Sequence, residues 1–142
     1  MKYLLDTDHL SILQRRAGAE YRRLSTWMAQ LLPVDFACCV VSLHEQLMGA
    51  HNFLSQAKNS AGLVRGYQLL QHLPRDNLAF QLQPFDAATA VIYDQLRGQN
   101  LRVGAMDLRL ASIALSQNLI VLTRNLRDFG RVPGLAVEDR TV

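Results

Sequence analysis

Short apolar segments alternate with longer amphipathic stretches along this chain, and few folds accommodate that order. Apolar runs of roughly four to eight residues are typical of buried strands, whereas apolar positions with helical spacing indicate helices. The predicted strands are Lys2–Leu5, Phe36–Val41, Leu78–Leu82, Leu119–Leu122 and an edge strand at Ala136–Glu138. The predicted helices are Leu10–Arg16, Ala19–Leu32, Leu43–Leu54, Gly62–Leu73, Ala87–Gln99 and Met106–Gln117, with a short turn at Asn125–Phe129. Because helices separate the strands, we predict an α/β protein whose central, mostly parallel sheet is flanked by helices.

Length and cysteine content bound the class of protein. The chain has 142 residues, a usual size for one domain, so we expect residues 1–142 to form a single domain. No apolar stretch approaches the roughly 20 residues of a membrane span, and the N-terminus lacks a signal-peptide layout, so we expect a cytoplasmic protein. Cys38 and Cys39 are adjacent in an apolar run, where we expect reduced, buried thiols.

The basic residues are almost entirely arginine. Apart from Lys2 and Lys58, all of the 15 Lys and Arg residues are Arg, and the net charge is +3. Guanidinium groups suit phosphate oxygens, which favours a nucleic-acid partner. Genomic base composition explains the same bias equally well, so charge permits nucleic-acid binding without establishing it.

Four acidic residues occupy positions that a parallel sheet would bring together. Asp6 ends the first strand, Glu45 lies in the first turn of the helix after the second strand, and Asp128 follows the fourth strand. Asp107 lies in the first turn of its helix, on the face that is directed inwards. Sites in parallel sheets lie beyond the carboxyl ends of the strands, so we expect these four side chains to converge.

Each acid taken alone also has a structural explanation, because a carboxylate stabilises a helix N-terminus or a turn. Converging carboxylates, however, repel one another unless a cation lies among them, and hard oxygen ligands suit Mg²⁺ or Mn²⁺. The histidines do not form a zinc pattern, and we expect each of them to be a surface or packing residue. They are His9, His44, His51 and His72.

The chain resembles the PIN-domain ribonucleases, in particular the toxins of VapBC-type toxin–antitoxin pairs, over nearly its whole length. Five segments carry the resemblance: YLLDTDHLS (Tyr3–Ser11), VSLHEQLMG (Val41–Gly49), GAMDLRLASIA (Gly104–Ala114), IVLTRNLRDF (Ile120–Phe129) and VPGL (Val132–Leu135). An Asp-initiated helix followed by Thr-x-Asn-x-x-Asp-Phe is the most specific of these features. The resemblance implies a PIN-like three-layer sandwich.

The resemblance also implies roles for the acids. Asp6 and Asp107 would be the principal Mg²⁺ ligands, with Mn²⁺ as a substitute, and Glu45 would lie in the same pocket. Family members differ over whether the fourth acid stands at the position of Asn125 or of Asp128, and this chain leaves that choice open.

Further positions follow from the same resemblance. Thr123 and Asn125 would orient ligands or the attacking water through hydrogen bonds. Asp8 stands where many members have Asn, and we expect it to cap the first helix rather than act as an outer acid. Arg140 replaces a Trp that many relatives carry, which affects packing.

The implied reaction is hydrolysis of RNA phosphodiester bonds by a metal-activated water. Glu45 or Asp128 would position or deprotonate that water, and nearby arginines would hold the RNA backbone. The candidate RNA-binding residues are Arg15, Arg16, Arg109, Arg124 and Arg127, although solvated surface charge is the better explanation for any one of them taken alone. The implied partners are a cognate antitoxin and a second copy of the chain in a homodimer. The sequence also leaves open that the chain is a housekeeping nuclease rather than a toxin.

Two alternatives compete with a nuclease. Asp6-Thr-Asp8 after an apolar strand also resembles the nucleophile motif of haloacid-dehalogenase-like phosphatases. Those enzymes need a later Lys and a paired acidic motif, whereas this chain has only Lys2 and Lys58 and offers Thr123-Arg-Asn. A PIN-like fold that serves as a catalytically inert binding module is the second alternative, and intact acids argue against it.

Overall fold

The computed structural model describes the backbone of residues 1–142 and every side chain except that of Leu78. The strands are β1 (Tyr3–Leu5), β2 (Phe36–Cys39), β3 (Gln81–Gln83), β4 (Ile120–Leu122) and β5 (Val137–Glu138). They form one five-stranded sheet in the order β3-β2-β1-β4-β5, in which each neighbouring pair is parallel. The prediction of an α/β fold around a parallel sheet is confirmed.

The helices connect these strands and cover both faces of the sheet. They are α1 (Thr7–Arg15), α2 (Ala19–Met28), α3 (Val40–Ser55), α4 (Ser60–Leu78), α5 (Ala87–Arg97), α6 (Ala105–Gln117) and α7 (Leu126–Phe129). Side chains alternate between the two faces along a strand. Leu4 of β1 packs with α6 in one buried cluster, while Tyr3 and Leu5 pack with Leu10 of α1 in another. The result is the expected three-layer sandwich.

The sequence prediction was wrong about the position of the third strand. We expected a strand at Leu78–Leu82 after a helix ending at Leu73, but α4 continues to Leu78 and the strand is Gln81–Gln83. Pro74 lies inside α4, where it removes one backbone hydrogen bond. The helix continues because Leu73 and Asn77 are buried, and Asn77 Nδ2 donates to the Leu73 carbonyl at 2.9 Å.

The second strand ends earlier than the predicted Phe36–Val41. It ends at Cys39, and Cys39, rather than Ser42, is the N-cap residue of α3. Val40 and Val41 already belong to the helix. The first helix also begins earlier than the expected Leu10, at Thr7. Strand β1 therefore leads into α1, and β2 leads into α3, without a loop between them. This brings Asp6 and Glu45 to the same edge of the sheet.

The second helix is shorter than expected. It ends at Met28 rather than Leu32, and the chain then forms a 3₁₀ turn at Pro33–Asp35. Pro33 forces the residue before it out of the helical region, so the helix cannot include Leu32. Leu32 accordingly has an extended backbone, with φ of −83° and ψ of 145°. The bounds of α5, α6, β4 and β5 lie within two residues of those predicted.

Cys38 and Cys39 are free and buried in the sheet, as expected. Burial, with a smaller effect of Cys39, raises the pKa of the Cys38 thiol to about 11. Burial likewise raises the pKa of Cys39. Both side chains are therefore protonated core residues at neutral pH. Across the described residues, no helix combines the length and the apolar character that crossing a membrane requires.

Candidate active site

A pocket of about 460 Å³ lies beyond the carboxyl ends of β1 and β4. Its lining comes from the segments that follow these strands and from α3 and α6. The lining residues are Asp6, Thr7, Asp8, Glu45, Asp107, Arg124, Asn125 and Phe129. Three of the four acids singled out in the sequence therefore share one pocket, and Asp128 is not among its lining residues.

Asp6 is held at the junction of β1 and α1. Its backbone amide donates to the Leu122 carbonyl of β4 at 3.0 Å, and its side chain is the N-cap of α1, where Oδ1 accepts from the His9 amide at 2.7 Å. The residue is only 6 % exposed. A carboxylate at a helix N-terminus is stabilised by the helix dipole, so Asp6 is positioned by the fold itself.

Glu45 is oriented by a threonine that the sequence analysis did not single out. Thr7 Oγ1 donates to Glu45 Oε1 at 2.7 Å and lies 3.1 Å from the hydroxyl of Ser42. Thr7 begins α1, while Ser42 and Glu45 share the first turns of α3. The hydrogen bond thus ties the two helix N-termini together and holds the Glu45 carboxylate at the pocket. A hydroxyl one position after a strand-ending Asp is the signal that could have identified Thr7.

The neighbouring carboxylates affect the pKa of Asp107. Burial raises its pKa above the ordinary value, and the charges of Glu45, Asp6 and Asp128 raise the pKa further. The side chain of Asn125 opposes this effect. The pocket lining therefore carries four carboxylates against the single guanidinium of Arg124, and this excess of negative charge favours the binding of a cation.

The donor set also fits a hard divalent cation. Mg²⁺ is usually bound through one or two carboxylates and keeps several waters, so it does not need a complete protein cage. Within the part of the chain that the structure describes, no three His, Cys, Asp or Glu side chains form a ready-made ligand group. Carboxylate oxygens are ligands that suit Mg²⁺ and Mn²⁺, whereas structural zinc sites use Cys and His ligands, which the described pocket lining does not contain.

Asn125, rather than Asp128, lines the pocket. Asn125 is the N-cap of α7, its backbone amide donates to Thr123 Oγ1 at 2.9 Å, and its Nδ2 donates to Asp128 Oδ2 at 3.1 Å. Asp128 also pairs with Arg131 at 3.3 Å. Thr123 is fully buried and fixes the turn that carries Asn125. Asp128 therefore contributes to the pocket through its charge and through Asn125.

The prediction that Asp8 caps the first helix was wrong. The cap is Asp6, because only the residue before the first helical turn can receive the amide of His9. Asp8 instead lies in that turn and receives two hydrogen bonds from Arg124, whose Nη1 also donates to Glu20 at 2.9 Å. The hydrogen bond with Asp8 raises the pKa of Arg124. Arg124 therefore stays protonated and holds a positive charge at the rim of the pocket.

The other candidate arginines lie outside the pocket lining. Arg15 and Arg16 line a neighbouring cavity, Arg109 lies over the Tyr93 ring at 5.8 Å, and Arg127 is exposed on α7. Arg140 lies 4.5 Å from the centre of the Trp27 ring, so it serves packing, as its sequence position suggested.

His9 is a packing residue, in line with expectation, but the sequence analysis did not predict its two carboxylate neighbours. The other histidines are exposed, but His9 is completely buried between two carboxylates. Its Nδ1 lies 3.4 Å from Asp6 Oδ1 and its Nε2 lies 3.8 Å from Asp139 Oδ1, and neither nitrogen has a hydrogen-bond partner among the described residues. The Asp-x-x-His spacing, which aligns the imidazole with its helix cap, is the signal that could have identified it.

Comparisons with known proteins agree on one family, although no protein-family model matches the chain. The chain is 32 % identical over 103 residues to the tRNA(fMet)-specific endonuclease VapC of Salmonella typhimurium, covering 70 % of each chain. It is 26 % identical over 142 residues to ribonuclease VapC1 of Haemophilus influenzae, covering 99 % of each. Its fold matches VapBC-1 from nontypeable Haemophilus influenzae with a TM-score of 0.77, at 22 % identity and complete coverage of both chains.

The parallel sheet with an acidic pocket at the carboxyl ends of β1 and β4 agrees with the PIN-domain class that the sequence resembles. Within that class the chain belongs to the VapC family.

Proposed function

We propose that this chain is a metal-dependent endoribonuclease and the toxin of a VapBC-type pair. The observation that carries the proposal is the pocket shared by Asp6, Glu45 and Asp107, in which neighbouring carboxylates raise the pKa of Asp107. Relatives named as ribonuclease and endonuclease support RNA as the substrate.

In this proposal Asp6 and Asp107 hold Mg²⁺ or Mn²⁺. When bound, the metal supplies a site that polarises a phosphate oxygen and lowers the pKa of water. Asp6 is kept in place by its cap hydrogen bond, and Glu45 is kept in place by Thr7, so both can orient a water beside the scissile phosphate. Asn125 offers an amide at the same pocket, held there by Thr123. Asp128 contributes charge behind Asn125.

The partner we propose is an antitoxin protein. Solved structures with this fold include a DNA-bound VapBC from Salmonella typhimurium, with a TM-score of 0.74 at 23 % identity. An acidic pocket of this kind would accept an arginine or lysine from a partner by charge complementarity, and that contact would displace the metal. We also propose that the chain acts as a homodimer.

The test is RNA cleavage by the purified chain. We expect cleavage of a structured RNA with Mg²⁺, none with EDTA, and a loss of at least a hundredfold in Asp107→Asn. Asp94→Asn is the matched control, because Asp94 is an exposed carboxylate outside the pocket lining. Cleavage that survives Asp107→Asn would refute the proposal. A folded parent that cleaves no RNA with Mg²⁺ or Mn²⁺ would favour an inert binding module instead.

A further inference from the structure

A second cavity, of about 670 Å³, lies beside the acidic pocket between α1, α3 and α4. We call it the arginine groove, after the four arginines in its lining. They are Arg15 and Arg16 at the end of α1 and Arg65 and Arg75 on α4. Among the described lining residues the one carboxylate is that of Asp76. The groove therefore carries a net positive charge next to a pocket that is negative.

The guanidinium groups of the arginine groove form no ion pair with a described carboxylate. Elsewhere in the chain, Arg124, Arg131 and Arg140 are paired with carboxylates, and Arg97 and Arg109 lie over the Tyr93 ring. In the described part of the chain, no carboxylate lies within 4.0 Å of the four groove arginines, and all four residues are exposed. They are consequently available to a ligand without first breaking an internal ion pair.

The groove continues the acidic pocket along two helices. Helix α1 contributes Thr7 and Asp8 to the pocket and then, one to two turns later, Ser11, Gln14 and Arg15 to the groove. Helix α3 contributes Glu45 to the pocket and the adjacent Gln46 to the groove. At 1.5 Å per residue, Asp8 and Arg15 are separated by about 10 Å along the helix axis. One extended ligand could therefore occupy both cavities.

The groove is lined by both polar and apolar side chains, and hydrogen bonds between polar ones join its three helices. Gln46 Nε2 donates to Gln14 Oε1 at 2.8 Å, which joins α3 to α1, and Asn77 Nδ2 of α4 donates to Gln46 Oε1 at 3.2 Å. Such cross-helix hydrogen bonds hold the three walls at a constant separation. The arginines are thus carried on a preorganised frame, which lowers the entropic cost of binding an extended ligand.

We propose that the arginine groove binds the phosphodiester backbone of the RNA strand that flanks the cleaved bond. This inference rests on the proposed function, because the groove leads directly to the carboxylates proposed to hydrolyse that backbone. Guanidinium forks bind phosphate oxygens in a bidentate manner and need no particular base. The groove therefore contributes affinity and positions the strand, whereas the chemistry takes place in the acidic pocket.

An acidic protein segment would also be attracted to these arginines. RNA is the better match because its backbone repeats the same anionic group along the strand, and the strand must in any case reach the carboxylate pocket. The acids at the far end repel any anion until a cation is bound, and a divalent cation bound there would attract the RNA phosphate that it is proposed to polarise.

The test compares two double variants with equal loss of charge. Arg65→Gln/Arg75→Gln removes half of the groove arginines from exposed positions, and Arg22→Gln/Arg102→Gln removes two exposed arginines outside the groove lining. Binding of a labelled single-stranded RNA is measured in EDTA over a range of KCl concentrations, and steady-state cleavage is measured with Mg²⁺. Unfolding curves check that all proteins are folded.

The groove variant should lose two phosphate contacts. At 0.1 M salt this predicts binding weaker by about 10- to 30-fold and a salt slope shallower by about 1.4, because each single-strand contact contributes about 0.7. The KM for cleavage should rise by a similar factor while kcat stays within about twofold, since the groove does not touch the reacting bond. The control variant should shift RNA affinity by less than about threefold.

Three outcomes would overturn or separate the claims. If the two double variants bind and cleave RNA alike, the groove is not an RNA site, although the proposed function stands. If the groove variant loses affinity for a polyglutamate peptide but not for RNA, the groove takes an acidic protein segment and the inference is wrong. If the parent cleaves no RNA yet binds it through the groove arginines, the proposed function fails and the groove remains an RNA-binding site.

Discussion

Asp6 caps α1 and is also our proposed metal ligand, and two substitutions separate these properties. Asp6→Ala removes both the cap and the charge, whereas Asp6→Asn keeps a side-chain oxygen that can accept from the His9 amide. Asn and Asp are about equally good N-cap residues. The pair of variants therefore distinguishes a structural carboxylate from a catalytic one.

The size of the stability effect follows from the cap geometry. Replacing an N-cap Asp by Ala costs about 1 kcal/mol and up to about 2 kcal/mol, and the upper part of that range applies because Asp6 is buried and its cap hydrogen bond is short. A domain of 142 residues has an unfolding entropy near 0.3 kcal/mol/K, so Asp6→Ala should lower Tm by about 5–7 °C.

Asp6→Asn should behave differently. Loss of the charge weakens the interaction with the α1 dipole by up to about 1 kcal/mol, but it also removes one of the charges that repel Asp107. The two effects oppose each other, so we expect Tm within about 2 °C of the parent. RNA cleavage with Mg²⁺ should nevertheless fall by at least a hundredfold in both variants.

The assay is thermal unfolding in EDTA, followed by cleavage with Mg²⁺ at a temperature where all three proteins are folded. An Asp6→Asn protein that unfolds as early as Asp6→Ala would refute the cap argument. An Asp6→Asn protein that cleaves RNA at the parental rate would refute the need for the charge.

Three further predictions follow from the pocket. Thr7→Val should lose the hydrogen bond to Glu45, costing about 1.5 kcal/mol in urea unfolding and lowering kcat, whereas Thr7→Ser should retain most of both; equal behaviour of the two variants would contradict the proposed orientation of Glu45. The raised pKa of Asp107 means that the folded state binds more protons than the unfolded state between its own pKa and the ordinary value of 3.8. Without metal, the free energy of unfolding of the parent should therefore rise, relative to Asp107→Asn, as the pH falls from neutral towards 3.8, and a fall would show the opposite sign. Arg124→Gln breaks ion pairs that are about two fifths exposed, so it should cost less than about 1 kcal/mol, and a loss above about 2 kcal/mol would show that the pair with Asp8 is structural.

Periodicity in the sequence was sufficient to predict the parallel sheet, because each strand is a short apolar run and each crossover carries helical spacing. It could not locate the third strand. The end of α4 depends on Leu73 and Asn77, which are buried against neighbouring elements, and that tertiary packing outweighs the local cost of Pro74. The local sequence pattern does not show whether a helix continues past a proline, because tertiary packing decides it.

The site was predictable as far as it follows from strand ends. Asp6 and Glu45 follow parallel strands, so topology alone brings them together. The choice between Asn125 and Asp128 depends on a cap hydrogen bond within a four-residue helix, which spacing cannot resolve. The spacing of Thr7 and His9 from Asp6 marks both residues as neighbours of the site, but their contacts with Glu45 and Asp139 depend on the assembled fold.

Asp8 illustrates a limit of motif comparison. A capping role for Asp8 would require the helix to begin at His9, but the helix begins two residues earlier, at Thr7, and its cap is therefore Asp6. Asp8 is then free to pair with Arg124, a residue 116 positions away in the sequence. Long-range ion pairs of this kind are set by the assembled fold.

The most direct test of the central claim, that the pocket carboxylates bind a divalent cation, is a calorimetric titration of Mn²⁺ into the parent and Asp107→Asn, with Asp94→Asn as the control. We predict saturable binding to the parent and to the control, and at least about tenfold weaker binding to Asp107→Asn, which corresponds to about 1.4 kcal/mol. Equal Mn²⁺ affinity in all three proteins would contradict the claim.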